Sequence, residues 1–215
     1  MTVKLYGHPF AAFVWKALIA AYERGVRFEF CMVDADHPGN AARVAELSPT
    51  GQFPALTDGA REITQSNSVI EYLDHFGSAP KMVPEDPDLA LASRMLASVF
   101  DAYVAEPMQD IVGEALRPKG RQDPQRVTEA KSRLDQSYAW LSRRIGAGWA
   151  NGRGFSIADC AAAPALFYAD WVHPVPAGAL RAYRTRLLEH PSVARVVDEA
   201  RPYRPLFPLG APDRD

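Results

Sequence analysis

Gly51-Gln52-Phe53-Pro54-Ala55-Leu56-Thr57-Asp58-Gly59-Ala60-Arg61-Glu62-Ile63-Thr64-Gln65-Ser66 decides the fold. Residues 54–57 and 61–64 are short β-type runs on either side of Asp58-Gly59, a dipeptide whose glycine supplies the positive φ of a hairpin turn. Ser66 then opens a helical pattern that continues through Val69, Ile70, Leu73 and Phe76, with Gly77 as its stop. Strand, strand, helix is the second half of a unit whose first half lies upstream.

Residues 3–6 form a short β-type run at a start that carries no signal-peptide pattern. His8-Pro9 interrupts it. From Phe10, the apolar positions Phe13, Val14, Ala17, Leu18 and Ala21 follow helical spacing, and Gly25 stands where a helix ends. Residues 28–33 are a second β-type run, and after Pro38-Gly39 a short helix is expected over 41–47. The order is β-α-β-α-β-β-α, thioredoxin-like with an antiparallel final pair.

Downstream, Pro80, Pro84 and Pro87 remove backbone donors and fix φ, so residues 79–87 read as a linker between a domain at 1–78 and another at 88–215. The second domain reads as all helix. Asp86 or Asp88 caps its first helix, which runs through Leu89, Leu96, Val99 and Tyr103 with a kink expected at Pro107. Asp123-Pro124 opens a helix whose inner face is Val127, Ala130, Leu134, Tyr138, Leu141 and Ile145. Ser156-Ile157-Ala158-Asp159 has capping-box spacing, and shorter helices are expected near 179–188 and 192–200. The fold class is α/β plus all-α.

Composition excludes several functions. With 47% apolar and 23% charged residues among 215, the chain builds an ordinary core. Net charge is −2 and no basic stripe runs along it, so nucleic acid is not expected as a partner. The most apolar stretches, 10–21 and 157–168, are too short to span a bilayer, so no membrane partner is expected. The two cysteines, Cys31 and Cys160, are far apart with no Cys-x-x-Cys, which supports neither a metal site nor a dithiol centre and fits a cytoplasmic protein.

Three features bear on chemistry. A cis bond at Phe53-Pro54 would turn the Phe53 backbone outward to pair with an extended peptide; a trans proline at a strand start is the plainer reading. Gln65-Ser66-Asn67 opens a helix whose free amides and positive dipole end suit a carboxylate, although Ser66 also reads as a simple cap. The amides near Pro9-Phe10-Ala11-Ala12 would favour a thiolate at the same sheet edge, unless Phe10 and Phe13 merely pack in the core.

Together these residues resemble the cytosolic glutathione transferases, over nearly the whole chain. Leu5-Tyr6-Gly7-His8-Pro9, followed by a helix with Lys16, is similar to that family's opening. Ser48-Pro49-Thr50-Gly51-Gln52-Phe53-Pro54-Ala55-Leu56 resembles its cis-proline signature, and Gln65-Ser66-Asn67-Ser68-Val69-Ile70-Glu71-Tyr72-Leu73 its Glu/Gln-Ser signature. Ser156-Ile157-Ala158-Asp159 resembles its helix-capping motif, with a role in folding only. The resemblance implies glutathione as cosubstrate, without a metal. Gln65 and Ser66 would hold its γ-glutamyl end, the Phe53 backbone its cysteinyl part, and Gln52 its glycyl end, with Pro54 fixing that geometry and Lys16 and His37 nearby.

The pattern departs from the family where a serine or cysteine is expected beyond Pro9, because Ala11 and Ala12 stand there. Either the Tyr6 hydroxyl or the backbone amides of Ala11 and Ala12 would then stabilise the thiolate. A second substrate, a small apolar electrophile, would meet His8, Phe10 and Phe13 on one side and Phe100, Tyr103, Met108, Phe167, Tyr168 and Trp171 on the other. The expected protein is a homodimeric transferase. A glutathione- or apolar-ligand-binding protein without that chemistry, or a scaffold, is the alternative.

Overall fold

The computed structural model describes residues 3–77 and 80–215. Met1, Thr2, Ser78 and Ala79 lie outside them, and with them the expected boundary at 78/79.

The first part contains β1 (Val3–Gly7), α1 (Ala12–Glu23), β2 (Phe28–Met32), α2 (Pro38–Leu47), β3 (Ala55–Asp58), β4 (Arg61–Thr64) and α3 (Ser66–Leu73). The strands form one sheet in the order β2-β1-β3-β4. β1 runs parallel to β2 with Tyr6 opposite Cys31, and antiparallel to β3 with Tyr6 opposite Ala55. β3 and β4 are the expected hairpin, closed at Asp58 and Arg61. Successive side chains on a strand point to opposite faces. Val3 and Leu5 therefore join Val14, Leu18, Ile70 and Leu73 in the main core, while Tyr6 joins Cys31, Val44 and Ala55 on the other face.

Two helix starts differ from the sequence reading, β3 is shifted by one residue, and α3 ends at Leu73, short of the stop expected at Gly77. α1 begins at Ala12, because residues 8–11 make a turn closed by Ala11 N–H donating to His8 O at 3.0 Å and pinned by Trp15 Nε1 donating to Pro9 O at 2.6 Å. α2 begins at Pro38, where proline's fixed φ and missing N–H suit a first helical position. Gly7 is required by close approach: a Cβ there would lie 2.5 Å from Val14 Cγ2, so β1 and α1 could not pack as they do.

The second part is helical: α4 (Pro87–Phe100), a π-helical turn Asp101–Ala105, α5 (Glu106–Leu116), α6 (Pro124–Ser142), α7 (Ile157–Val172), α8 (Ala179–Glu189), α9 (Pro191–Ala200) and a 3₁₀ segment Arg201–Leu206. Asp86, not Asp88, caps α4 by accepting from Leu89 N at 2.9 Å. The break expected at Pro107 appears one turn earlier as the π turn. Proline lacks an N–H and crowds the carbonyl four residues back, here Tyr103, and a widened turn relieves both. α7 is the central helix, buried from Ile157 to Asp170. Trp15 packs against it, 4.8 Å from the Phe167 ring and 5.2 Å from Tyr168, so one core runs through both parts. Among the described residues, no helix is long and apolar enough to cross a membrane.

The start of α7 is held by one buried carboxylate. Asp159 accepts from Ser156 N (2.9 Å) and Oγ (3.0 Å), Ala150 N (2.9 Å) and Tyr183 Oη (2.7 Å). Truncation would strand all of these buried donors. Asp159→Ala is therefore expected to lower the unfolding free energy by about 3 kcal/mol or more. Urea titration would show this as a lower midpoint at unchanged slope, and an unshifted midpoint would contradict it.

Candidate functional site

A cleft of about 570 Å³ opens at the end of the sheet where α1 and α3 begin. Ala11, Ala12 and Phe13 form its α1 side, and Ser48, Gly51, Gln52, Phe53 and Pro54 form the loop side before β3. Gln65 and Ser66 form the α3 side, and Gln109 of α5 reaches it from the helical part. None of these residues is charged at neutral pH.

Backbone amides add to the polarity that the Ser48, Gln52, Gln65, Ser66 and Gln109 side chains give the cleft. At α1 the N-cap is Ala11, which has no side-chain acceptor, and at α3 the Gln65 side chain makes no capping bond. Among the described residues, no backbone hydrogen bond takes up the N–H groups of Ala12, Phe13, Ser66 or Asn67. By contrast, Asp86 and Asp123 cap α4 and α6. Each open terminus carries roughly half a positive charge. The cleft thus offers two separated sets of donors to a ligand with two acceptor or anionic groups.

The third element is the unpaired backbone of Phe53. The Phe53–Pro54 bond is cis, as the family resemblance implied and against the plainer trans reading of the residues alone. Phe53 precedes the ladder, which starts at Ala55 opposite Tyr6, and no backbone bond among the described residues engages its N–H or C=O. An extended peptide can pair there strand-fashion. Gln65, at φ 68° and ψ 122°, is the sole non-glycine with positive φ among the described residues. This costly conformation swings the chain from β4 straight into α3 and sets the first turn of α3 against the cleft.

Gln52, Phe53, Pro54, Gln65 and Ser66 are therefore gathered in one place, with Ala11, Ala12 and Phe13 facing them. Of the two alanine amides, Ala11 is spent on His8 O and Ala12 is free.

Other expected residues lie elsewhere. Tyr6 does not border the cleft. The alternation of β1 points it away from the main core, 7% exposed, among Cys31, Val44 and Ala55, a cluster against which Phe53 packs. Lys16 is 1% exposed and bonds both oxygens of Asp101 at 2.6 and 2.7 Å; burial lowers its pKa and Asp101 opposes that shift. His37 pairs with Asp34 at 2.6 Å. His8 accepts from Phe10 N at 3.1 Å and meets the Tyr203 ring edge-on, and burial lowers its pKa. Burial and Glu29 raise the pKa of the Cys31 thiol, which makes it a poor thiolate.

Of the expected second-substrate wall, Phe13 alone lines the cleft. Phe100 is fully buried and stacks on Tyr183, and Met108 is core. Phe10, Phe167, Tyr168 and Trp171 pack on one another, with Tyr168 Oη donating to Phe10 O at 2.8 Å. Tyr103 is 59% exposed in a separate groove with Val99 and Trp140. Helical spacing marks an inner face but cannot separate core from cleft, which also hid Gln109. Its signal, a polar residue beside Met108 on a largely apolar stretch, is faint.

Two family models match the chain: glutathione S-transferase, N-terminal domain, over residues 5–80, and glutathione S-transferase, C-terminal domain, over 124–199. A glutathione S-transferase of Silene vulgaris is 27% identical over 125 residues, 56% of this chain and 57% of its own length. The uncharacterized GST-like protein YibF of Escherichia coli is 27% identical over 191 residues, 87% of this chain and 93% of its own. The structure of a glutathione S-transferase from Methylobacillus flagellatus with glutathione bound superposes with a TM-score of 0.76 at 22% identity, covering 91% of this chain and 98% of that one.

The strain at Gln65 is testable without a ligand. Glycine accepts positive φ freely and a β-branched residue does not. Gln65→Gly is expected to be at least as stable as the parent chain, and Gln65→Val less stable by about 1–3 kcal/mol. The reverse order in thermal or urea unfolding would show that the backbone there is unstrained.

Proposed function

The chain belongs to the glutathione S-transferase family, and from that premise we propose that it binds glutathione in the cleft and transfers its sulfur to a small electrophile. The single observation that carries this reading is the convergence of the open α3 terminus, the unpaired Phe53 backbone and the open α1 terminus on one uncharged space. The γ-glutamyl carboxylate takes the Ser66 and Asn67 amides and the Ser66 hydroxyl, with the Gln65 carboxamide beside it. The cysteinyl main chain pairs with Phe53 next to Pro54, and the glycyl end lies toward Gln52. Residues 1–78 then form the glutathione-binding domain, 79–87 a linker and 88–215 the helical domain.

The sulfur falls to the start of α1. With alanine at 11 and 12, no side chain there donates to it, and Tyr6 is not among the residues that line the cleft. The free Ala12 and Phe13 amides and the dipole of α1 remain, worth about 0.3–2 kcal/mol together. At 1.36 kcal/mol per pKa unit, that is at most about 1.5 units of thiol acidification. A modest transferase follows. The absence of a side-chain donor also favours a second reading, a glutathione-binding protein with little turnover.

A cytoplasmic, detoxifying homodimer completes the proposal. Leu91, Met95 and Tyr103, all exposed and spaced along α4 and the π turn, support a second copy as the partner of that face. Sedimentation at micromolar concentration is expected to give a dimer that Leu91→Glu weakens; a single monomeric species would contradict it.

Conjugation of glutathione to reactive electrophiles, followed against the uncatalysed rate, tests the enzyme reading, and no excess rate with any of several would leave the binding protein. Ser66→Ala is expected to weaken glutathione binding about fivefold to tenfold by calorimetry. Tyr6→Phe is expected to leave kcat unchanged; a loss of tenfold or more would return the phenol to the mechanism.

A further inference from the structure

We propose that Tyr168, on the central helix α7, is a positioning residue for the glutathione sulfur: its phenol holds the peptide plane that leads into the free amides at the start of α1. The inference rests on the glutathione reading above. Three successive peptide units run into α1. In the Pro9–Phe10 unit, the carbonyl accepts from Trp15 Nε1 at 2.6 Å and the N–H donates to His8 Nδ1 at 3.1 Å. In the Phe10–Ala11 unit, the carbonyl accepts from Tyr168 Oη at 2.8 Å and the N–H donates to His8 O at 3.0 Å. In the Ala11–Ala12 unit, the carbonyl accepts from Val14 N at 2.9 Å and from Trp15 N at 3.1 Å. Its N–H, that of Ala12, is the only N–H or C=O of the three units without a partner among the described residues.

An ordinary N-cap steadies a first turn with a side chain that accepts from its amides, as Asp86 does for α4. Ala11 has no such side chain, and a cap would consume the donors that the sulfur needs. Here the steadying bonds come from the opposite, carbonyl edge. They are made from the core: Trp15 is fully buried and Tyr168 is 3% exposed. Because a peptide unit is planar, one tethered at both edges cannot swing without breaking a bond. Tyr168 therefore holds the turn against fraying while the Ala12 and Phe13 amides stay open to the cleft. Burial pushes the Tyr168 phenol well above its ordinary pKa, against a smaller pull from Arg204, so it stays a donor across the range in which a thiol titrates. The helical part thus contributes to thiol acidity without reaching the sulfur.

The experiment measures the pKa of the bound glutathione thiol on the full chain by thiolate absorbance, with glutathione affinity by calorimetry and stability in urea alongside. Tyr168→Phe keeps the ring and its edge-on contact with Phe10, 5.4 Å between centroids, and removes only the donor. It is expected to raise the bound thiol pKa by about half a unit, as part of the lowering that α1 supplies is lost. Glutathione affinity, measured below the thiol pKa, is expected to change by about twofold or less, since the turn touches neither the α3 amides nor Phe53. Trp15→Phe, which removes the other tether, is expected to act on the pKa in the same direction. Tyr138→Phe is the control: Tyr138 is 1% exposed, donates to His173 O at 3.0 Å and does not line the cleft. It is expected to lower the urea midpoint as Tyr168→Phe does, each losing one buried hydrogen bond, and to leave the thiol pKa unchanged. A bound thiol pKa indifferent to Tyr168→Phe, or raised as much by Tyr138→Phe, would overturn the assignment. A parent chain that fails to bind glutathione, or binds it with a thiol no more acidic than the free one, would instead overturn the reading beneath it.

Discussion

Two helices begin at the same cleft, and neither spends its first amides on a side chain of its own. That constraint organises the site. A helix start with unpaired N–H groups is costly unless water or a ligand meets them. The β-α-β-α-β-β-α topology places the starts of α1 and α3 at one end of the sheet, and Ala11 and the twisted Gln65 leave both uncapped. Since no lining side chain is charged, ligand charge is met by oriented backbone dipoles and neutral polar side chains such as Ser66 and Gln65.

The surrounding structure makes those two starts rigid. Gly7 lets β1 approach α1 closely, and Trp15 ties the turn before α1 to the central helix. Lys16 of α1 and Asn67 of α3 both bond Asp101 at the π turn, the latter at 3.2 Å, so both helix starts share one anchor in the helical part. Buried pairs of this kind add little net stability against an apolar alternative, but they fix geometry, which is what a site built from amide positions needs.

Much of this was legible in the residues. Asp58-Gly59, the alternating runs and Gly25 defined the sheet, and the proline- and aspartate-marked helix starts defined the helical part. Phe53-Pro54 and Gln65-Ser66 located two sides of the cleft. The illegible part followed from direction. Tyr6 ends a strand near the site, yet its place in the β1 alternation buries it in a small cluster with Cys31, Val44 and Ala55, and a pattern of one run did not settle whether it lines the cleft. Phe100, Met108, Tyr168 and Trp171 have the spacing of an inner face, which a core and a pocket share. Gln109 is reached only once α5 is placed beside the cleft.

The central claim is that backbone amides at the start of α1, and no side chain, stabilise the thiolate. Its most direct test is the pKa of the glutathione thiol in the complex, from thiolate ultraviolet absorbance across a pH titration. The account predicts a value about one unit below that of free glutathione, unchanged by Tyr6→Phe. A thiol pKa equal to or above the free value, or a shift that vanishes with the phenol, would contradict it.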